Sequence, residues 1–463
     1  MAVKQVYMIA RKADGLIRNF LLNDRRSLLV TGARQVGKTF SIRKVGKECF
    51  ENFVEINFIE QPRAIEMFSG QMGAKDLLLR ISAFTKKPLV PGKTLIFFDE
   101  VQECKEMVTA IKFLADEGSY KYVLSGSLLG VELKDLRSVP VGYMDEIEMY
   151  PLDLTEFFEA IGIGSEVIRH LRKSFEDKKA VDDFIHSRML EAVRLYLIVG
   201  GMPAVVQKYL DTNNLQSVLE EQRGIIRAYK RDITKYDSDH KLQIEEIYNL
   251  IPSELNAQNK RFILKKLNEK ARFSKFENGF IWLKEAGVAI PAYNVEEPQL
   301  PLLLNRQRNL FKFFMNDVGL LAAMYGSNFQ IELLSKGINI NYGSVFENLV
   351  AQELYAHGFT WNQQHSLYYF NSKKQGELDF VVEYDKNVLP IEVKSGKNYE
   401  RHNALSNVME NNDYDIPFAY VFCQNNVTVK GKVVYLPIYM ITFLEQNLPQ
   451  EKVLKFDLYG LRD

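Results

Sequence analysis

Cysteine is scarce, with three in 463 residues: Cys49, Cys104 and Cys423. They lie far apart, one is left over from any pairing, and none has metal-ligand spacing, so a disulfide framework and a thiolate metal site are both disfavoured. Long apolar runs are lacking as well. No stretch reaches the roughly 18 apolar residues of a membrane span, and the best uncharged candidate, Leu195 to Val206, is broken by Gly200, Gly201 and Pro203. The opening run Val6 to Ala10 precedes Arg11 and Lys12 and is too short for a signal-peptide core. A cytoplasmic protein with no membrane partner is expected. Nor is there an excess of either charge: Lys plus Arg and Asp plus Glu are 59 each. That excludes a non-specific polycation, while leaving room for a basic face on one domain. The six histidines show no ligand spacing, and there is no internal repeat or low-complexity tract.

What is present suits several cores. Hydrophobic residues make up 46% and charged residues 25%, and the length suggests roughly two to four domains. Up to about residue 150, short β-rich runs alternate with amphipathic stretches, predicting strands at Ser27–Thr31, Phe53–Phe58, Thr94–Phe98, Lys121–Leu124 and Glu146–Met149. Such alternation indicates an α/β parallel sheet. Helical spacings follow from Pro151 to about Lys241, then a sharp turn at Gly200-Gly201-Met202-Pro203. Beyond Tyr342 a helix, Ser344–His357, precedes strands at Leu367–Phe370, Glu377–Tyr384, Val388–Val393 and Ala419–Phe422. The expected divisions are 1–160 for a P-loop core, 161–241 for a helical lid, 242–330 for a winged-helix region and 331–463 for a C-terminal α/β domain.

Gly32-Ala33-Arg34-Gln35-Val36-Gly37-Lys38-Thr39 fits G-x-x-x-x-G-K-[ST], directly after the strand Leu28-Leu29-Val30 and before a helix. Glycines let backbone N–H groups turn inward around phosphate oxygens, and the helix N-terminus adds a favourable dipole. Residues 32–39 with Phe40 are the expected ATP-binding segment. Lys38 is expected on the β- and γ-phosphates and the Thr39 hydroxyl on Mg²⁺. Thr94-Leu-Ile-Phe-Phe-Asp99-Glu100 reads as a buried strand delivering a carboxylate at its C-terminal edge. Asp99 is expected in the Mg²⁺ shell, and Glu100 is placed to orient or deprotonate the attacking water. Ser125 and Ser127, at the end of the neighbouring strand, are expected to reach the γ-phosphate region as sensors. ATP and Mg²⁺ are the implied cofactors.

Gly32–Thr39, Asp99-Glu100-Val101-Gln102 and Ser125-Gly126-Ser127 together resemble the prokaryotic AAA+-like ATPases. Tyr150-Pro151-Leu152, Glu156-Phe157 and Gly200-Gly201-Met202-Pro203 extend the match in the expected order. The resemblance covers nearly the whole chain. It implies an ATPase followed by a C-terminal domain of poorly defined function, in a class where oligomeric rings are common. Many relatives carry Gly-Arg before the strand leading to Tyr-Pro-Leu; this chain has Gly142-Tyr143. The arginine that could stabilise developing charge is therefore missing there. Arg137 lies close by in sequence, and otherwise another region or subunit would have to supply one.

A second constellation comprises Glu347, Asp379, Glu392 and Lys394. Glu392-Val393-Lys394 puts the acid and the lysine on one face of a strand. With Lys386-Asn387 as the hairpin loop, Asp379 is expected opposite Lys394, with Glu392 one pleat along. Two carboxylates would then hold Mg²⁺, Lys394 would stabilise a hydroxide or phosphate charge, and Glu347 would complete the shell. The pattern resembles restriction-endonuclease-like PD-(D/E)xK nucleases, with Leu378 where the proline would stand. In the preceding region, Arg261, Lys265, Lys266, Lys270 and Arg272 form a basic cluster that either meets DNA phosphates or is a solvated helix face. The function expected from these features is an ATP-hydrolysing switch coupled to a DNA-binding or nuclease-like C-terminal half. The alternative is a nucleotide-gated protein-interaction module with an inactive nuclease-like scaffold.

Overall fold

The computed structural model describes residues 9–70, 73–85, 88–127, 142–236, 241–257, 260–262, 273–335, 342–359 and 366–446. Lys265, Lys266, Lys270, Arg272 and Arg137 lie outside the described residues.

The N-terminal layer runs α1 (Lys12–Asn23), β1 (Ser27–Thr31), α2 (Lys38–Cys49), β2 (Asn52–Asn57), α3 (Ala74–Thr85), β3 (Thr94–Asp99), α4 (Lys105–Glu117), β4 (Lys121–Ser125) and β5 (Met144–Glu148). The five strands are all parallel, in the order β2-β3-β4-β1-β5. Every residue of β3 is buried, as a continuous apolar run in a sheet covered on both faces requires. The C-terminal ends of β1, β3 and β4 share one edge: Val30 pairs with Ser125, and Asn57 on β2 pairs with Asp99. Loops leaving that edge are where ligands of such sheets bind.

Helices α5 (Leu154–Ala160), α6 (Ser165–Asp177), α7 (Asp183–Val199), α8 (Pro203–Thr212), α9 (Leu215–Tyr236), α10 (Lys241–Asn256) and α11 (Phe273–Glu285) follow. No single helix among the described residues is long and apolar enough to cross a membrane. Helices α7 and α8 meet at a bend of 116°, made at Gly200 and Gly201. Gly200 has φ +75°, and a Cβ on Gly201 would lie 2.1 Å from the Leu152 carbonyl oxygen. Glycine alone fits that approach.

The last layer is β6 (Ala289–Val295), β7 (Arg306–Met315), α12 (Val318–Tyr325), α13 (Ser327–Ser335), α14 (Tyr342–Ala356), β8 (Leu367–Ser372), β9 (Gly376–Tyr384), β10 (Asn387–Val393), α15 (Asn403–Met409), β11 (Ala419–Cys423), β12 (Thr428–Lys430) and β13 (Val433–Pro437). Its eight strands have the order β12-β13-β11-β10-β9-β8-β6-β7. The β6–β7 hairpin, expected within a winged-helix region, instead extends this sheet through the parallel β6–β8 pairing. The sheet therefore runs across the boundary drawn at 330/331. One buried apolar cluster is also continuous from Leu28 and Val45 of the first layer, through Tyr196 and Val199, to Ile391 and Phe422.

The hairpin register corrects the expected one. Asp385 and Lys386 both have positive φ, 46° and 63°, as a two-residue type I′ turn demands. The loop pair is thus Asp385-Lys386, closing on Tyr384 and Asn387, and Ile391 pairs with Phe380. Continuing one step, Asp379 faces Glu392 rather than Lys394.

Candidate functional site

The loop between β1 and α2 owes its path to three positive-φ residues: Gly32, Gln35 and Gly37. A Cβ at Gly32 would come 2.1 Å from the Met149 carbonyl oxygen, so the first glycine is dictated by packing as well as by dihedral. Lys38, only 8% exposed, donates from Nζ to the carbonyls of Gly32 and Ala33, each at 2.9 Å. Burial lowers its pKa to about 8, with Glu100 and Asp99 opposing. Thr39 Oγ1 donates to Asp99 Oδ2 at 3.1 Å. The Asn57 amide donates to the same oxygen at 3.2 Å, and the Ser125 hydroxyl donates to Asp99 Oδ1. Burial raises the Asp99 pKa, while Ser125 and Thr39 oppose. Next to it, Glu100 sits in the left-handed region at φ 55°, a conformation that is costly for a non-glycine residue. Gln102 Nε2 donates to Glu100 Oε2 at 2.6 Å, which fixes the carboxylate.

A cavity of about 820 Å³ opens over this edge, within the size range of small-molecule sites. Of the expected phosphate-loop residues, Arg34, Gln35, Gly37, Lys38, Thr39 and Phe40 line it, together with Asp99, Glu100 and Ser127. Gly32, Ala33 and Val36 lie behind them, and Ser125 is occupied with Asp99. The far wall comes from α8: Pro203, Ala204, Gln207 and Asp211.

Two features of this wall were not legible in motif spacing. Arg11, buried, donates to the Val36 carbonyl at 2.8 Å, the Tyr150 carbonyl at 2.6 Å and Glu156 at 3.2 Å. It ties the phosphate loop to the Tyr-Pro-Leu segment. Asp317, fully buried, accepts from Gly201 N at 2.6 Å and caps α12 through Leu320 N at 2.9 Å. Leu152 N donates to the Gly201 carbonyl at 2.7 Å, and Gln352 of α14 donates to Tyr196 Oη at 2.6 Å. The bend that leads into the cavity wall is thus bonded to the Tyr-Pro-Leu segment and to the last layer.

Glu347, Asp379, Glu392 and Lys394 do come together at the second constellation, but their charges are already engaged. Lys394 lies 2.6 Å from Glu392. Lys312, completely buried, lies 2.7 Å from Glu377 and 4.0 Å from Glu347, and Lys260 pairs with Glu347. Asp379 accepts from Val393 N at 2.8 Å. Burial raises Glu392 to about 8, with Asp379 adding and Lys394 opposing. Among the described residues, no group of three or more His, Cys, Asp or Glu side chains is arranged to hold a metal ion. Lysines lie against the acids instead. Lys260, Lys312 and Glu377 come from segments distant in sequence, so no local pattern pointed to them.

Residues 24–158 match the family model of an AAA domain. This segment is similar to an AAA-type P-loop domain. Residues 190–330 and 342–441 match two domains of unknown function, DUF8612 and DUF4143. No curated protein matches the chain. Among solved structures, a Walker-type ATPase of Pyrococcus abyssi is similar at 15% identity and TM-score 0.41, covering 69% of this chain and 96% of its own. The Orc1 protein of Aeropyrum pernix, solved in complex with DNA, gives 12% identity and TM-score 0.30 over 72% and 97%. Thermotoga maritima RuvB gives 14% and 0.28 over 61% and 89%.

Proposed function

We propose that the chain hydrolyses ATP at the AAA domain and uses the nucleotide to set the position of its C-terminal half. The observation that carries this reading is the convergence of Lys38, Thr39, Asp99 and Glu100 on one cavity edge. ATP phosphates would lie along the inward-turned amides of residues 34–38 and the N-terminus of α2, with Lys38 released from the Gly32 and Ala33 carbonyls to the β- and γ-phosphates. Thr39 and Asp99 fit Mg²⁺: both are hard oxygen donors, and Asp99 is a buried carboxylate bonded to neutral groups. Magnesium typically takes one or two such protein ligands and completes its shell with phosphate oxygens and water. When bound, it would neutralise phosphate charge. Glu100 would accept the proton of the attacking water, held in place by Gln102. Pro203 lies against Gly37, while Gly200 and Gly201, at the same bend, lie against Asp317. Movement of α8 on nucleotide binding would therefore be felt at α12. A cytoplasmic location and oligomerisation belong to the same proposal.

The experiment is phosphate release with Mg²⁺-ATP, with and without DNA, for wild type and Glu100→Gln. The expected result is turnover in wild type and a loss of about 10²-fold or more in the variant, with ATP binding retained. Wild type that binds ATP without turning it over rejects hydrolysis.

For the C-terminal half, the order helix α14, hairpin β8–β9–β10, helix α15 and parallel β11 supports the nuclease-like resemblance. The lysines lying on Glu347, Glu377 and Glu392 favour the reading in which that domain is a scaffold for a partner and does not cleave DNA. Metal-dependent nicking of plasmid by wild type, lost in Asp379→Ala, would reverse that choice.

A further inference from the structure

Three cationic side chains line the cavity at the phosphate loop: Arg11, Arg34 and Lys38. Arg11 is committed to two carbonyls and Glu156, and it is buried. Lys38 has the β- and γ-phosphates to serve. Arg34 differs. It stands two residues after Gly32, its side chain is 40% exposed, and its guanidinium pairs with Asp232 of α9. Its backbone is fixed from the same helix, because Tyr229 Oη donates to the Arg34 carbonyl at 3.2 Å. It is also close enough to Lys38 to help hold that ammonium's pKa down, after burial. Asp232 is buried, so it stays put while the arginine has room to move. Asn316, the neighbour of Asp317, reaches Tyr229 Oη at 3.4 Å, which links α9 to the contact that grips Gly201.

We propose that Arg34 is a catalytic residue of ATP hydrolysis, an arginine supplied in cis by the phosphate loop, and that Asp232 competes with the γ-phosphate for its guanidinium. This rests on the hydrolysis reading above. In the step, a water oxygen bonds to the γ-phosphorus as the bond from that phosphorus to the β–γ bridging oxygen breaks. The bonding pair leaves with ADP, and the water proton passes to Glu100 and then to solvent. Arg34 forms no covalent bond; it donates N–H groups to the γ-oxygens as their charge redistributes, a role worth about 10³-fold or more where such arginines act. A displacement of α9 would shift the guanidinium between Asp232 and phosphate, so the C-terminal half could regulate turnover.

The test uses the full chain and compares wild type with Arg34→Ala, Arg34→Lys, Asp232→Asn and the Arg34→Ala/Asp232→Asn double variant. Phosphate release, affinity for a fluorescent ATP analogue, and trapping of ADP with aluminium fluoride are measured for each. Arg34→Ala should turn over about 10³-fold more slowly and fail to trap ADP–aluminium fluoride, with ATP affinity changed only a few-fold. Arg34→Lys, which keeps the ion pair but lacks the planar fork, should also be slow; it decides the matter if the alanine variant does not fold. Asp232→Asn should turn over several-fold faster than wild type, and the double variant should match Arg34→Ala. Wild-type turnover and trapping in both Arg34 variants overturn the proposal while leaving hydrolysis intact. Slower turnover in Asp232→Asn at unchanged ATP affinity overturns the competition. A wild type with no turnover overturns the hydrolysis reading and this proposal together.

Discussion

At the phosphate loop, Lys38 donates to two backbone carbonyls and Asp99 is bonded by a threonine, a serine and an asparagine. In the C-terminal layer, Glu347 on α14 and Glu377 and Glu392 on the sheet each lie against a lysine. Both places combine acids with lysine beside a cavity. The first holds its charges on neutral groups, which under the proposed function a polyphosphate and a cation would displace. The second sets its acids against lysines of the chain itself, so a cation entering there would compete with them. The difference teaches that residue types in a motif do not by themselves define a ligand site; what their charges already touch decides it.

The largest expected effect breaks the second arrangement. Lys312→Met leaves Glu377 without its lysine and Glu347 with Lys260 alone, and should destabilise the protein by about 3 kcal/mol at pH 8. The loss should shrink at pH 5, because burial already raises the pKa of Glu347 and protonation removes the uncompensated charge. Chemical denaturation at the two pH values checks this; equal stability at pH 8 would mean the ion pairs contribute nothing. Next, Lys38→Ala should weaken ATP binding on the order of 10²-fold, the consequence of losing a charge-assisted phosphate contact. In wild type, Lys38 titrates at about 8, and phosphate contact favours its charged form. Binding should therefore take up a proton near pH 8, and affinity should fall several-fold between pH 7 and 9, as calorimetry in buffers of differing ionisation heat can measure. Within any one pH unit the smallest effect concerns Glu392, raised from 4.5 to about 8. The folded state keeps a proton that the unfolded chain gives up. Its contribution is therefore complete below pH 4.5 and is lost as pH rises to about 8. Glu392→Gln should flatten that slope by on the order of 1 kcal/mol per pH unit; an unchanged slope would place the titration elsewhere.

The parallel sheet was readable because β3 is a continuous apolar run and the phosphate loop has a fixed spacing of glycines, lysine and threonine. The strand starting points held to within a residue or two. The hairpin register was misread by one position in the loop: Lys386-Asn387 was expected, whereas Asp385 and Lys386 take the two positive-φ positions. In a ladder, that moves Asp379 from opposite Lys394 to opposite Glu392. Asp232 stood in the sequence with no role, and it gained a partner only when the fold brought α9 over Arg34 across 198 positions of chain. Lys312 was invisible for the same reason. Periodicity and motif spacing carry local geometry, whereas a partner brought in by tertiary folding leaves no mark near either residue.

The parallel pairing of Ala292–Val295 with Leu367–Phe370 has a practical consequence. A chain terminated at residue 330 would bare the side of β6 that β8 now occupies, leaving an unpaired row of amides and carbonyls. Exposed edges of that kind recruit other strands. Fragments cut at that point are expected to aggregate, and limited proteolysis there should yield two pieces that remain associated until denatured.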